Sequence, residues 1–165
     1  MPHVYLSLGS NHNAAANLRA GVRLIGAIAD VRAASTVYES PPVGGAEGAP
    51  YLNAALLIDT DLSREALKAQ LVQIEDACGR IRRDAAGRKS SVVSLDLDII
   101  VYDADPPHVD LARYAHVAVP LAEIAPDLTP PGESKPLRIV AQRFANSSLI
   151  PRDDIDLLLP PPLTS

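Results

Sequence analysis

The sequence is poor in the features that mark secreted and membrane proteins. Cys78 is its only cysteine, which excludes an internal disulfide and is typical of a reducing compartment. No apolar run approaches the roughly 20 residues that a membrane-spanning helix needs. Residues 1–6 also lack the charged and apolar regions of a signal peptide. We therefore expect a cytoplasmic protein that has no membrane partner.

Aromatic residues and positive charge are also scarce. The chain has no tryptophan, and its net charge of −5 gives no reason to expect a nucleic-acid partner. With 165 residues, 47% of them hydrophobic, it is long enough for one domain with a proper core. We place that domain at residues 1–150 and expect a monomer. Residues 151–165 are assigned to a Pro-rich, weakly ordered C-terminal tail.

The periodicity of apolar residues indicates the fold class. Strands are predicted at residues 4–8, 31–40, 51–60 and 94–102, and helices at 14–29 and 63–78. Ser63 is the expected N-cap of the second helix, and Gly79 is its expected end. The order βαββαβ is that of a ferredoxin-like sandwich, an α+β fold in which an antiparallel sheet carries two helices on one face.

The last predicted strand carries two carboxylates. Asp96 and Asp98 share one face with Ser94, while the other face is apolar, with Val93, Leu95, Leu97, Ile99 and Val101. Carboxylates at i and i+2 lie roughly 6.5–7 Å apart at Cα, so they can converge on a pair of divalent cations such as Mg²⁺. The alternative is an ordinary strand with a solvated acidic face. The apolar flanks favour a central strand, where two uncompensated carboxylates would be costly.

Seven short motifs follow one another along the chain. They are LGSN at 8–11, VYESPPVG at 37–44, YLNA at 51–54, IE at 74–75, GRIR at 79–82, LDLDI at 95–99 and PLAEIAPDL at 120–128. In this order and spacing they resemble the 6-hydroxymethyl-7,8-dihydropterin pyrophosphokinase family of folate biosynthesis. The resemblance covers about residues 3–145.

The resemblance implies a reaction and a set of site residues. Family members transfer the β,γ-pyrophosphoryl group of ATP to the hydroxymethyl group of a reduced pterin and release AMP. Two Mg²⁺ ions are then expected on Asp96 and Asp98, with Arg80 at the phosphates. Nucleotide contacts are implied for Glu75, Arg80, Arg82, Arg113 and His116. The pterin pocket is implied for Gly9, Ser40, Pro41, Val43, Tyr51 and Asn53, in which Tyr51 stacks on the ring and Asn53 reads its polar edge.

One departure from the family lies in the loop before the acidic strand. The family carries Arg-Trp-Gly-Pro-Arg there, whereas residues 87–93 read Gly-Arg-Lys-Ser-Ser-Val-Val, and Val93 takes the place of the second arginine. We expect residues 84–93 to be open or disordered without ligand. Arg88 is the predicted catalytic phosphate partner, because a planar guanidinium can bind two phosphate oxygens at once, whereas the ammonium of Lys89 acts as a point charge.

A second departure lies before Pro120. His116 is either the family's nucleotide-contacting histidine after a deletion or, counted back from Pro120, the replacement of its stacking phenylalanine. Arg113 and Tyr114 carry the same ambiguity.

The two departures leave three functions open. The first is the pyrophosphokinase reaction itself. The second is a divergent relative that acts on another pterin or alcohol. The third is a non-catalytic ferredoxin-like binding module, against which the joint retention of Arg80, Asp96, Asp98, Tyr51 and Asn53 argues.

Overall fold

The structure, a computed structural model, describes residues 1–42 and 49–158. Its strands are β1 His3–Ser10, β2 Asp30–Ala34, β3 Val37–Ser40, β4 Tyr51–Asp59, β5 Asp96–Tyr102 and β6 Ile150–Arg152. Its helices are α1 Ala14–Gly26, α2 Arg64–Ala77, α3 Asp110–Arg113, α4 Ala115–Ile124 and α5 Leu137–Val140, and α5 continues as a 3-10 helix over Ala141–Phe144. Val43 lies outside the described residues, so the structure says nothing of its predicted place in the pterin pocket. Within these ranges no helix has the length and apolar character to cross a bilayer.

The strands form one antiparallel sheet of six strands. Its order is β5-β1-β4-β3-β6, and β2 pairs with β4 further along the edge that β3 also uses. The predicted α+β fold with an antiparallel sheet is confirmed. The single strand predicted at 31–40 is two strands, because Ser35 and Thr36 interrupt it. Ser35 keeps the interruption attached to β4, since its backbone N–H donates to Ala55 O and its Oγ accepts from Ala55 N.

Local signals set the ends of α2 as predicted. The hydroxyl of Ser63 accepts from Ala66 N at 3.1 Å and caps the first turn. Gly79 ends the helix with a φ of +83°, a conformation that side-chain-bearing residues resist. The turn brings the next residue back onto the helix end, where Arg80 N donates to Glu75 O. This reversal places two predicted site residues side by side.

Helices cover both faces of the sheet. Leu18 of α1 and Leu71 of α2 pack with Leu6 of β1 in the larger core. On the opposite face, Leu111 of α3 and Leu121 of α4 pack with residues of β4 and β5 in a second core. The two predicted helices lie on one face as expected, and the apolar segment 117–124, flanked by Pro-rich loops, forms a further helix that covers the second face.

Strand β5 differs from its prediction in two respects. It lies at an edge of the sheet, and among the described residues β1 is its only partner strand. Its register against β1 shifts at Ile100, so Val101 joins Ile100 in the second core while Leu97 and Ile99 stay in the larger one. The predicted alternation is therefore right through Ile99 and wrong at Val101, because a bulge adds one residue.

The predicted C-terminal tail begins within the fold. Residues 150–152 form β6 on the edge of β3, where Pro151 stands opposite Tyr38. Ile155 and Leu157 are buried in the larger core. The domain boundary predicted at residue 150 therefore falls inside β6. The chain continues as part of the fold beyond this point, because two of its apolar side chains complete the larger core. Residues 159–165 lie outside the described part of the chain.

Candidate active site

A cavity of about 340 Å³ opens on the second face of the sheet, where β1, β3, β4 and β5 meet α4. We call it the first cavity. Seven predicted site residues line it, namely Gly9, Ser40, Tyr51, Asn53, Asp96, Asp98 and His116. These residues come from five different elements, and the fold brings together side chains that are up to more than 100 positions apart in the sequence.

The two aspartates of β5 face this cavity together. Desolvation, helped by the negative charge of Asp96, raises the pKa of Asp98 to about 6. The negative charge that these two carboxylates share at the cavity suits a bound cation. No group of three or more potential metal-ligating side chains is found in the described ranges. A Mg²⁺ ion fits such a site because it commonly uses one or two carboxylates and completes its shell with water and phosphate oxygens.

Arg80 and Glu75 provide hydrogen-bond partners for backbone groups on the unpaired edge of β5. Arg80 Nη1 donates to Leu95 O at 2.8 Å and lies 3.3 Å from Asp96 Oδ1. Glu75 Oε2 accepts from Leu97 N at 2.8 Å. Burial raises the pKa of Glu75, and the Leu97 N–H bond partly opposes the rise. Both side chains therefore fix the strand segment that carries the two aspartates.

Arg82 is turned toward the helix instead of the first cavity. Its guanidinium donates to Asp76 Oδ1 at 2.7 Å and to Glu75 Oε1 at 2.8 Å. Arg82, which was predicted to contact the nucleotide, is therefore held in ion pairs at the C-terminal end of α2. Arg113 and Pro41 also lie outside the described lining of the cavity.

Tyr51 and Asn53 form a polar and aromatic wall. Asn53 Nδ2 donates to Ser40 Oγ at 2.9 Å, which fixes the amide against β3. Burial and the charge of Asp96 raise the pKa of Tyr51, so its hydroxyl stays protonated. A side chain at Gly9 would lie 3.7 Å from Asn53 Oδ1 and 3.9 Å from Tyr51 Cδ1, so glycine leaves the space in front of both open.

His116 stands on the same cavity as Tyr51. Its ring stacks on Tyr114, with centroids 5.3 Å apart and planes at 26°. Burial lowers the pKa of His116, which favours the neutral imidazole. His116 therefore lies at the first cavity, near which both alternatives predicted from the sequence place it.

Helix α4, which carries His116, is fastened to β3 by a residue that sequence reasoning gave no role. Glu123 Oε2 accepts from Thr36 N at 2.8 Å, and Glu123 Oε1 accepts from the Tyr38 hydroxyl. Desolvation and this carboxylate raise the pKa of Tyr38 to about 12. The sequence signal for a role of Glu123 was its position within the motif at 120–128.

The loop between α2 and β5, which includes residues 84–93, contains a hydrogen-bonded turn. A bridge joins Arg83 to Lys89, and Asp84 closes the turn between them. Arg88 Nε lies 3.2 Å from Asp84 Oδ2 in this turn, whereas Lys89 lines the first cavity. The geometry thus places Lys89, and not the predicted Arg88, at the site.

A second cavity adjoins the first at Asp98 and Asp110, which line both. It also carries Arg64 and Lys68 of α2 and His108 of the loop before α3. Sequence reasoning missed these residues. The signal was the spacing of Arg64 and Lys68, which places two cations on one face of α2.

Comparison with known proteins identifies the family. Residues 5–126 match the family described as 7,8-dihydro-6-hydroxymethylpterin-pyrophosphokinase (HPPK). The chain belongs to this family. The resemblance seen in the seven motifs is confirmed.

Pyrophosphokinase relatives cover most of the chain. The 2-amino-4-hydroxy-6-hydroxymethyldihydropteridine pyrophosphokinase of Methylorubrum extorquens is 37% identical over 145 residues, which is 81% of this chain and 89% of that protein. The enzyme of the same name from Haemophilus influenzae is 34% identical over 157 residues, 88% of this chain and 95% of the relative.

A solved structure supports the fold. Plasmodium falciparum HPPK-DHPS, wild type, with pterin and p-hydroxybenzoate, superposes with a TM-score of 0.69 at 12% sequence identity. The match covers 88% of this chain and 43% of that longer chain.

Proposed function

We propose that this pyrophosphokinase transfers the β,γ-pyrophosphoryl group of ATP to the hydroxymethyl group of 6-hydroxymethyl-7,8-dihydropterin, in folate biosynthesis, and releases AMP. The observation that carries the proposal is the meeting of two cavities at Asp98 and Asp110. A transfer between two substrates needs two adjoining sites whose reacting groups meet at a common wall. Here that wall is acidic, as phosphate transfer through bound cations requires.

The first cavity takes the pterin. Its flat, polar ring needs an aromatic surface and fixed hydrogen-bonding partners. Tyr51 supplies one ring, and the stacked pair of Tyr114 and His116 supplies a second. Asn53, held by Ser40, presents its amide to the polar edge of the ring.

The second cavity takes the nucleotide. Arg64 and Lys68 offer positive charge to phosphates, and His108 adds a ring beside them. Arg80 lies next to the common wall, and its Nε is buried without a hydrogen-bond partner among the described residues. A phosphate oxygen that reached this N–H on binding would satisfy it. The direct nucleotide role first expected for Glu75 becomes one of support, since its oxygens are occupied by Leu97 and Arg82.

Asp96 and Asp98 would hold two Mg²⁺ ions, which would neutralise negative charge on the phosphates during transfer. The chain's own groups do the remaining work. Tyr51 and Asn53 orient the acceptor so that its hydroxymethyl oxygen faces the β-phosphorus. That oxygen bonds to the β-phosphorus and gives its proton to water. The bond from the β-phosphorus to the oxygen shared with the α-phosphate breaks, and its electron pair leaves with AMP. Arg80 stabilises the charge that builds on the phosphates.

The test is the formation of AMP from ATP, Mg²⁺ and 6-hydroxymethyl-7,8-dihydropterin. Asp96→Asn and Asp98→Asn should each abolish turnover while the fold persists, because each removes a carboxylate from the acidic wall of the first cavity, where Mg²⁺ would be held. Asp61→Asn is the matched control, since Asp61 is exposed and lines neither cavity. Near-normal turnover in either wall variant would contradict the metal assignment.

A second candidate is supported by His116, which, counted back from Pro120, takes the position of a stacking phenylalanine of the family. An imidazole presents a smaller ring and a hydrogen-bonding nitrogen, which alters the acceptor surface. A panel of reduced pterins and simple alcohols decides between the two: faster AMP release with another acceptor identifies a divergent relative. No AMP with any acceptor would favour a binding module without catalysis.

A further inference from the structure

We propose that Lys89 is the cation that this chain brings to the transferred pyrophosphoryl group, and that Asn11 positions the loop that carries it. This inference rests on the proposed function and concerns the same site. The starting observation is that, of the described residues lining the first cavity, Lys89 alone carries a permanent positive charge.

The turn before Lys89 occupies the neighbouring arginine. Asp84 Oδ1 accepts from Ala86 N and from Arg88 N, both at 2.9 Å, and Asp84 Oδ2 lies 3.2 Å from Arg88 Nε. Gly87 permits the turn with a φ of +78°, and its N–H donates to Asp84 O. The guanidinium of Arg88 is thus engaged within its own turn, with the side chain 80% exposed.

The strand-like pairing beyond the turn separates the two cations. Lys89 forms an antiparallel bridge with Arg83, and Ser90 N donates to Arg82 O at 3.0 Å. Arg88 is held in the Asp84 turn, whereas Lys89 lines the first cavity with Asp96 and Asp98. In the described part of the chain, the Lys89 ammonium forms no ion pair of its own.

Asn11 fastens the far end of the loop to the sheet. Its Nδ2 donates to Ser91 O at 2.7 Å, its Oδ1 accepts from Val93 N at 2.6 Å, and its N–H donates to Val93 O at 2.9 Å. Asn11 directly follows β1, which contributes Gly9 to the first cavity. Three bonds to one residue fix the path of the loop relative to the cavity, and so fix the reach of Lys89.

The charge of Lys89 suits the chemistry of transfer. Negative charge spreads over the oxygens of the pyrophosphoryl group as the bond to AMP breaks and the bond to the acceptor oxygen forms. An ammonium on a four-carbon stem follows these oxygens as a point charge. Lys89 gives up no proton and takes none. Its contact strengthens as charge develops, so its removal should lower kcat more than it raises KM.

The experiment compares Lys89→Ala, Lys89→Arg and Arg88→Ala in the full chain, with AMP release as the assay. We expect Lys89→Ala to lower kcat about tenfold or more relative to Arg88→Ala, with the KM for pterin changed by less than about threefold. Lys89→Arg should recover most of the loss, because it keeps the charge. Equal losses in the two alanine variants, or a greater loss in Arg88→Ala, would overturn the assignment.

A double-mutant cycle tests Asn11. Asn11→Ala should lower kcat in the wild-type background but change it by less than about twofold in Lys89→Ala, since residues that act as a unit are not additive. Full additivity would refute the positioning role. Wild-type protein that releases no AMP would count against the proposed function, whereas an active wild type with an active Lys89→Ala counts against Lys89 alone.

Discussion

Replacing Glu75 by alanine tests the attachment to α2 of β5, the strand that carries Asp96 and Asp98. The side chain is 7% exposed, accepts from Leu97 N at 2.8 Å and pairs with Arg82 at 2.8 Å. Alanine leaves the Leu97 N–H without this acceptor, which costs about 1–3 kcal/mol. Loss of the half-exposed Arg82 pair adds about 0–1 kcal/mol. Relief from burying a carboxylate offsets part of this, so we expect unfolding free energy to fall by about 2 kcal/mol.

Glutamine separates the hydrogen bond from the charge. Glu75→Gln keeps an oxygen for Leu97 N and removes the buried charge, so its stability at pH 7 should lie within about 1 kcal/mol of wild type. The folded-state pKa of Glu75 is raised, so the fold favours its neutral form. Its contribution is therefore most favourable below the unfolded pKa and declines as pH rises through the folded pKa. Glu75→Gln should lack this decline.

Urea unfolding of wild type and both variants across pH 4 to 8 measures these differences. The decisive comparison is between alanine and glutamine at pH 7. If Glu75→Gln is as unstable as Glu75→Ala, the ion pair with Arg82 holds the strand and the Leu97 bond does not. If alanine itself costs less than about 0.5 kcal/mol, the tether does not stabilise β5.

Three further predictions concern single residues. Because the folded pKa of Asp98 is raised to about 6, its contribution to apo stability should fall as pH rises from about 4 to 6; Asp98→Asn should remove that fall in thermal unfolding. Tyr51→Ala should weaken pterin binding by about 1–3 kcal/mol and ATP binding much less, by separate titrations, and equal losses would indicate a structural role. Gly21→Ala should destabilise by about 1–3 kcal/mol, because its Cβ would lie 2.9 Å from a methyl of buried Leu95, whereas Gly26→Ala in the same helix should not.

The sequence predicted the elements that follow simple periodicity. Strands β1, β4 and β5 and the two long helices were predicted because their apolar residues repeat at two or at three to four positions, and Ser63 and Gly79 set the ends of α2. Strands β2 and β3 were predicted as one strand, and β6 was not predicted. The cluster of Tyr51 and Asn53 with Asp96 followed from the family motifs, and the structure brings these residues to one cavity.

The features of the fold and of the candidate site that were not predicted depend on contacts between distant segments. The edge position of β5 depends on which strands pair, and the bulge at Ile100 has no local signal. The choice between Arg88 and Lys89 was made from side-chain chemistry alone, without the Asp84 turn that decides which one faces the cavity. Helix α4 was missed because Pro120 and the flanking prolines are typical of loops, yet burial against the sheet favours a helix there.

The side chains that hold the free edge of β5 also guard the sheet against association with other chains. An exposed strand edge offers unpaired N–H and C=O groups to any similar edge and so invites aggregation. Here Arg80 occupies the carbonyl of Leu95 and Glu75 occupies the N–H of Leu97, which blocks the segment that a foreign strand would pair with first. The opposite edge is the three-residue β6, whose Pro151 has no N–H to offer. The same two side chains that hold the aspartate-bearing segment of β5 thereby also shield its edge from strand pairing with another chain.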